Sequence, residues 1–122
     1  MVEHLDSGKQ AEALALQYLQ SQGLKLINHN WFCSFGEIDL IMISKNELCF
    51  IEVRYRKSSQ WGSAQETVTQ AKRQKLIKTA QLFLQKNSQF TMKACRFDIV
   101  AISGSLDKPK IDWLPNAFAI HP

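Results

Sequence analysis

Two short segments with alternating side chains, joined by a tight turn, constrain the fold of this chain more than any other feature. Residues 37–44 and 48–56 have the two-residue period of β-strands, and residues 44–47, Ser-Lys-Asn-Glu, have the composition of a turn. Strands separated by so short a turn pair in the antiparallel direction. The sequence therefore predicts a β-hairpin.

The hairpin places two carboxylates opposite each other. Asp39 lies five residues before Ser44 and Glu52 lies five residues after Glu47, so the two acids are predicted to be cross-strand partners. Their Cβ atoms would be about 4.5–5.5 Å apart, a distance at which carboxylates repel unless a cation lies between them. Mg²⁺ is the usual cation, because it takes oxygen ligands from one or two carboxylates and from substrate phosphate. The alternative for each acid alone is an ordinary exposed or salt-bridged side chain.

Two amphipathic helices are predicted on either side of the strands. Ser7 and Gln10 have the spacing of a capping box, and apolar residues then follow with the helical period until Gly23. A second helix is expected from about residue 66 to residue 86, with residues 63–66 and 67–70 as competing starts. Glu12 lies at the flank of the first apolar face, from which it could point towards Asp39 and Glu52. Glu12 is therefore a candidate third carboxylate.

Lys72 is an anomaly in the second helix. It lies four residues after Val68 and four residues before Leu76, within the apolar stripe rather than opposite it. Its ammonium must therefore extend to solvent along the helix surface or meet an acid or a phosphate.

The order of the predicted elements defines the fold class. Further strands are expected at residues 24–30, 94–102 and 111–114, which gives helix, three strands, helix, strand, strand. A helix between two strands is a crossover connection, so the strands before and after it should be parallel neighbours in one sheet or nearly so. We therefore expect an α/β protein with a mixed sheet flanked by helices, forming one domain over residues 1–122.

Positive charge is concentrated in one segment. The whole chain has a net charge of +4, whereas residues 54–78 contain seven basic residues and one acid. Such an excess suits a polyanion, because neutralisation of phosphates releases counterions and drives binding without sequence preference. The alternative is a solvated helix face. The basic residues are Arg54, Arg56, Lys57, Lys72, Arg73, Lys75 and Lys78.

Composition excludes several classes of protein. A hydrophobic content of 45% excludes intrinsic disorder, and three cysteines without a Cys-x-x-Cys pair fit neither a disulfide framework nor a zinc ribbon. No apolar run approaches 18 residues, and the first residues lack the features of a signal peptide. The expectation is a cytoplasmic protein with free thiols and no membrane association.

Several motifs together resemble a known family. They are Gly-Glu-Ile-Asp-Leu-Ile at residues 36–41, Phe-Ile-Glu-Val-Arg-Tyr-Arg at residues 50–56, Gly-x-x-Ala-Glu at residues 8–12, Lys72, and Arg-Phe-Asp at residues 96–98. This combination, which spans almost the whole chain, resembles the YraN-like family of predicted endonucleases, related to archaeal Holliday junction resolvases. The resemblance implies the restriction-endonuclease-like fold, whose αβββαβ order matches the predicted one.

The resemblance also implies roles for individual residues. Glu12, Asp39 and Glu52 match the acids that hold one or two Mg²⁺ (or Mn²⁺) ions in related nucleases, where the metal activates water and stabilises the phosphate under attack. The family's lysine two residues after the second acid is Arg54 here. An arginine can bind phosphate through charge-assisted hydrogen bonds, but its high pKa excludes it as a base. Lys72 is the candidate to replace the missing ammonium.

Three functional hypotheses follow. The first is a Mg²⁺-dependent nuclease acting on branched, flapped or single-stranded DNA, with the catalytic residues Glu12, Asp39, Glu52, Arg54 and Lys72. Its predicted DNA contacts are Arg56, Lys57, Arg73, Lys75 and Lys78. The second is a nucleic-acid-binding module of the same fold with weak or no catalysis, and the third is an interaction protein whose acids are structural. A homodimer is compatible with each hypothesis.

Overall fold

The computed structural model describes residues 6–57 and 68–119, which form two α-helices, a short 3₁₀ turn at Ser88–Phe90 and a five-stranded sheet. In chain order the helices and strands are α1 (Ser7–Ser21), β1 (Lys25–Cys33), β2 (Gly36–Ser44), β3 (Glu47–Arg56), α2 (Gln70–Lys86), β4 (Ala94–Ser103) and β5 (Lys110–Phe118).

The sheet follows the order of the chain, β1-β2-β3-β4-β5. Its pairs are antiparallel except for β3 and β4, which run parallel because α2 connects them as a crossover. The predicted hairpin is present as β2 and β3, with Ser44 paired to Glu47 across the turn and Lys45 in the left-handed region. The predicted fold class is confirmed: an α/β protein with a mixed sheet, compatible with a restriction-endonuclease-like core.

The two helices cover opposite faces of the sheet, and each face has its own apolar core. β3 shows this division, because Leu48 and Phe50 pack in the cluster that contains α2, whereas Cys49 and Ile51 pack in the cluster that contains α1. A strand buried on both faces is the arrangement expected for a parallel pair at the centre of a sheet. The central strands are therefore fixed from both sides.

Both helices begin at a different residue from the predicted one. The N-cap of α1 is Asp6, whose side chain accepts from the Lys9 amide at 2.8 Å, so the predicted capping box of Ser7 is wrong. α2 begins at Gln70 rather than near residue 66, and Thr69 caps it. In both cases the cap is an extended residue whose side-chain oxygen reaches the amide three residues on. The alternative start at residues 63–66 lies outside the described residues.

β5 extends beyond its predicted end at residue 114, and a buried carboxylate explains why. Asp98 accepts hydrogen bonds from the Trp113 indole at 2.9 Å, the Asn116 amide at 2.9 Å and the Arg96 guanidinium at 3.1 and 3.3 Å. These bonds hold β5 on β4 across a register irregularity between Phe97 and Ile99. The strand therefore continues to Phe118 although it contains a proline.

The described residues also test two expectations from composition. All three cysteines, Cys33, Cys49 and Cys95, are free thiols, as predicted. Within residues 6–57 and 68–119, no helix combines the length and the apolar character needed to cross a membrane.

Candidate active site

The hairpin opens at the predicted carboxylate pair. The β2–β3 ladder extends from the turn to the pair Leu40 and Ile51. Beyond this pair the amide of Val53 donates to Oδ2 of Asp39 at 2.8 Å, so a side chain joins the two strands. In a regular strand, residues three positions apart lie on opposite faces of the sheet. Ile38 and Ile41 nevertheless pack in the same core cluster, so the alternation of β2 is broken here. This local departure from regular pairing places the Asp39 carboxyl at the edge of a cleft.

Asp39 and Glu52 meet as the hairpin register predicts. The two carboxyl groups are close enough for the charge of Glu52 to act on Asp39, and Glu52 is almost completely buried. The pKa of Asp39 is raised to about 8, first by burial and then by the charge of Glu52, while the hydrogen bond from the Val53 amide acts in the opposite direction. Without a cation between them, the Asp39 carboxyl is thus largely protonated at neutral pH.

Two cations from different elements face Glu52. Nζ of Lys72 on α2 lies 2.6 Å from Oε2 of Glu52, and Nη1 of Arg54 on β3 lies 3.6 Å from the same oxygen. Of the predicted alternatives for the Lys72 ammonium, which were solvent, an acid or a phosphate, the structure shows an ion pair with an acid, Glu52. Nε of Arg54 is buried and has no hydrogen-bond partner among the described residues. A buried N–H without a partner is costly, so the Arg54 guanidinium has unused hydrogen-bonding capacity beside Glu52.

The carboxylate pair lies in a cavity of about 350 Å³ between the sheet and α2. Its lining residues are Phe35, Gly36, Glu37, Asp39, Glu52, Lys72, Lys75 and Leu76. Two of the lysines predicted from the charge segment are therefore next to the acids. Lys78, one helical turn beyond Lys75, lines an adjacent cavity that Phe35 also lines, with Nζ 5.9 Å from the centre of the Phe35 ring.

The structure separates Arg73 from this cavity. Its Nε donates to the Val68 carbonyl at 3.0 Å, and its guanidinium lies 5.2 Å from the centre of the Phe118 ring. It lines a different cavity, of about 160 Å³. Arg56 donates to the Tyr55 carbonyl, and Lys57 follows the end of β3. The predicted basic surface thus divides, and only part of it faces the acids.

Glu12 lies on the other side of the β1–β2 hairpin. Nδ2 of Asn30 donates to Oε1 of Glu12 at 2.9 Å and to Oε1 of Glu37 at 2.8 Å, so one amide holds two acids. Glu12 lines a second cavity, of about 490 Å³, and Glu37 lines both cavities. The charge of Glu12 contributes to the raised pKa of Asp39, which places it within electrostatic reach. The three predicted acids are therefore near one another, but Glu12 is held apart from the pair.

The donor atoms fit a hard divalent cation at the Asp39–Glu52 pair. Oxygen ligands from two carboxylates suit Mg²⁺, which commonly completes its shell with water and substrate phosphate. The raised pKa of Asp39 shows that a cation would relieve an existing repulsion. In the part of the chain that the structure describes, no group of three or more His, Cys, Asp or Glu side chains is close enough to hold a metal ion by itself.

Sequence reasoning missed three residues of this region. Asn30 has a positive φ of 51°, which asparagine tolerates better than most residues, but no local pattern indicates that conformation. Glu37 is in the same motif as Asp39, and it lines both cavities, but sequence reasoning assigned it no role in the site. Phe35 lies in the β1–β2 turn, where an aromatic residue has no structural role that the sequence would predict.

The fold and the site together define an α/β protein with a mixed sheet and a carboxylate pair in a lysine-lined cleft. The chain belongs to the uncharacterised protein family UPF0102, whose sequence model matches residues 11–102. The YraN-like resemblance is thereby confirmed at the level of the family.

Three relatives show how far the similarity extends. The chain is 51% identical over 115 residues to a UPF0102 protein of Pseudomonas fluorescens (strain Pf0-1), which covers 94% of each chain. It is 48% identical over 118 residues to one of Stutzerimonas stutzeri, with 97% of this chain and 98% of the relative covered. It is 47% identical over 121 residues to one of Saccharophagus degradans, with 99% of both covered.

Proposed function

We propose that this protein is a Mg²⁺- or Mn²⁺-dependent nuclease that hydrolyses phosphodiester bonds of branched, flapped or single-stranded DNA. The observation that carries the proposal is the opposed pair of Asp39 and Glu52, with Lys72 at 2.6 Å from Glu52, in a cleft lined by a further lysine. Opposed acids beside fixed cations are the arrangement that phosphoryl chemistry with a divalent ion requires. The family resemblance of the motifs supports the same chemistry.

Each side chain has a defined part in this proposal. Asp39 and Glu52 would hold the ion, whereas Glu12, held by Asn30 in the neighbouring cavity, adds negative charge within electrostatic reach. When bound, the ion supplies positive charge at the phosphate and lowers the pKa of water. The Arg54 guanidinium, which lies beside Glu52, would bind a phosphate oxygen through charge-assisted hydrogen bonds. Lys72 orients the Glu52 carboxylate and supplies the ammonium that related nucleases place two residues after the second acid.

The surroundings of the cleft support a polyanionic substrate. Lys75 lines the cavity, and Lys78 follows it on the same side of α2. Positive side chains at the rim raise the local concentration of DNA and contact its phosphates without reading the bases. These lysines would thus select the substrate by its charge.

The test is incubation of the purified protein with branched, single-stranded and duplex DNA, with Mg²⁺, with Mn²⁺ and with EDTA. We expect slow cleavage that needs the metal and that Glu52→Gln abolishes. Asp112→Asn is the matched control, because Asp112 is an exposed acid on β5, outside the cavity. Wild-type protein that binds DNA and leaves every substrate intact with both metals would overturn the nuclease proposal.

A second function, DNA binding without turnover, is favoured by one observation. Arg54 stands where the family pattern has lysine, and arginine cannot exchange a proton at neutral pH. Binding to branched DNA without cleavage, also after Arg54→Lys, would establish this alternative. Absence of both DNA affinity and Mg²⁺ binding would instead favour the interaction protein with structural acids.

A further inference from the structure

Two phenylalanines are exposed at the tip of the β1–β2 hairpin. Phe32 is 75% exposed and Phe35 is 47% exposed. Among the described residues, Met92 is the only other large apolar side chain with comparable exposure. Single exposed apolar residues are ordinary, but two aromatic rings on one hairpin tip beside a cleft are typical of a binding surface. We call Phe32 and Phe35 the aromatic tip.

The aromatic tip flanks both cavities of the site. Phe35 lines the cavity that contains the Asp39–Glu52 pair, whereas Phe32 lines the cavity that contains Glu12. Glu37, one residue from the turn, lines both. A strand that crosses the hairpin tip from one cavity to the other would therefore meet both rings and pass the acids.

The tip is held against α2. If Gly36 had a Cβ, that atom would lie 3.5 Å from the Thr79 hydroxyl, an ordinary van der Waals distance, so the end of the turn is in contact with the helix. The Phe35 amide donates to Sγ of Cys33 at 3.4 Å, and the same sulfur lies 3.9 Å from the Thr79 hydroxyl, so the turn is also fixed on the side that faces α2. Lys78 lies 5.9 Å from the centre of the Phe35 ring. An apolar ring and a cation are thus presented together.

We propose that the aromatic tip is a stacking platform for unpaired bases of single-stranded DNA, whose phosphates lie against Lys72, Lys75 and Lys78. This inference rests on the proposed function and specifies its substrate. Every base has a π-face on which an aromatic side chain can stack, so the platform tolerates any sequence. A duplex hides these faces within its own stack. The platform therefore selects unpaired strands, while the lysines alone do not discriminate.

The test measures binding without catalysis. Fluorescence anisotropy in EDTA compares a labelled oligothymidylate of about 16 nucleotides with a blunt duplex. We expect Phe32→Ala combined with Phe35→Ala to weaken oligothymidylate binding at least about fivefold, and duplex binding less than about twofold. Phe35→Tyr should retain the affinity, because tyrosine also stacks. Met92→Ala is the matched control and should change neither affinity.

Four outcomes would overturn the platform. Three of them are equal losses on both DNAs, an unchanged affinity of the double variant for the oligothymidylate, and a wild-type protein that does not bind it. A fourth is a wild-type dimer that the double variant converts to monomer without loss of oligothymidylate binding, since the tip would then bind a second copy of the chain. Because the assay contains no metal, failure of cleavage alone would overturn the nuclease and leave the platform in place.

Discussion

Nζ of Lys72 lies 2.6 Å from Oε2 of Glu52, although the lysine is on α2 and the glutamate is on β3. The contact exists because the crossover returns α2 over the sheet face that carries Glu52. The side-chain ammonium in the cleft therefore comes from the helix. On β3, the residue two positions after Glu52 is Arg54, so this position carries a guanidinium.

Replacing Lys72 by Met should destabilise the fold. The change removes the shorter of the two ion pairs of Glu52 and leaves that nearly buried carboxylate facing Arg54 at 3.6 Å. We expect a loss of about 1 kcal/mol in the free energy of unfolding near pH 8, a moderate value because Lys72 itself is 42% exposed. Urea denaturation measures it. Lys75→Met is the control, and an equal loss there would contradict the assigned role.

The raised pKa of Asp39 predicts a pH dependence of stability. The carboxyl ionises near 3.8 ordinarily and at about 8 in the fold, so its ionisation opposes folding between these values. Its stabilising contribution is complete below about pH 4 and is lost as the pH rises through 8. Asparagine does not ionise. In EDTA, the Tm of Asp39→Asn relative to wild type should therefore rise by several degrees from about pH 5 to about pH 8.5. A constant difference would exclude the shift.

Arg54 should decide between enzyme and binding module. If a fixed positive charge is sufficient beside Glu52, Arg54→Ala should abolish the Mg²⁺-dependent cleavage of the wild-type protein. If an ammonium must orient the attacking water, the wild-type protein is slow and Arg54→Lys should raise its rate. Single-turnover cleavage of branched DNA measures both variants. Identical rates for wild type, Arg54→Ala and Arg54→Lys would remove Arg54 from the catalytic residues.

DNA affinity should depend on salt through the lysines of the rim. Charge reversal of Lys75 and Lys78 should weaken binding to duplex DNA. Each lost phosphate contact should also reduce the slope of log affinity against log salt by about 0.9. Binding titrations over a series of salt concentrations give the slope. Charge reversal of Arg73 is an informative comparison, because this residue lines a separate cavity. A larger effect at Arg73 than at the two lysines would move the DNA-binding surface to that side of α2.

Asp98 should be essential for the fold and not for the chemistry. It is fully buried and accepts from Arg96, Trp113 and the Asn116 amide. Asp98→Ala leaves these donors without their acceptor, and we expect a loss of about 3–5 kcal/mol in the free energy of unfolding. Denaturant titration measures the loss, and the exposed Asp112→Ala should change stability by less than about 0.5 kcal/mol. Loss of cleavage by a fully folded Asp98→Ala protein would contradict the structural role.

The carboxylate pair was predictable because two strong local rules agree on it. A tight turn fixes the hairpin register, and the two-residue period of strands then fixes which side chains meet, so Asp39 and Glu52 followed from counting. The parallel pairing of β3 and β4 followed from the helix between them. The position of Lys72 in an apolar stripe likewise indicated that its ammonium needed a partner.

For the N-cap of α1, the partner of Glu12 and the direction of Arg73, the sequence does not distinguish between the alternatives. Asp6 and Ser7 are both good N-caps, and only the backbone conformation decides between them. Glu12 lies on the predicted face of α1, but its partner is Asn30, whose left-handed conformation brings the amide to the acid. Arg73 is in the same charged run as Lys72, yet the helical rotation between adjacent residues turns it towards Phe118. Such outcomes are decided by tertiary packing.

The sequential strand order has a consequence for the way the site assembles. β1, β2 and β3 pair with their neighbours in the chain, whereas β4 pairs with β3 only after the crossover through α2. Contacts between residues close in sequence have the lower loop-closure cost and form early. During synthesis the hairpin can bring Asp39 and Glu52 together before Lys72 has emerged from the ribosome. The nascent acids must then remain neutral or recruit a cation from solution until the helix arrives.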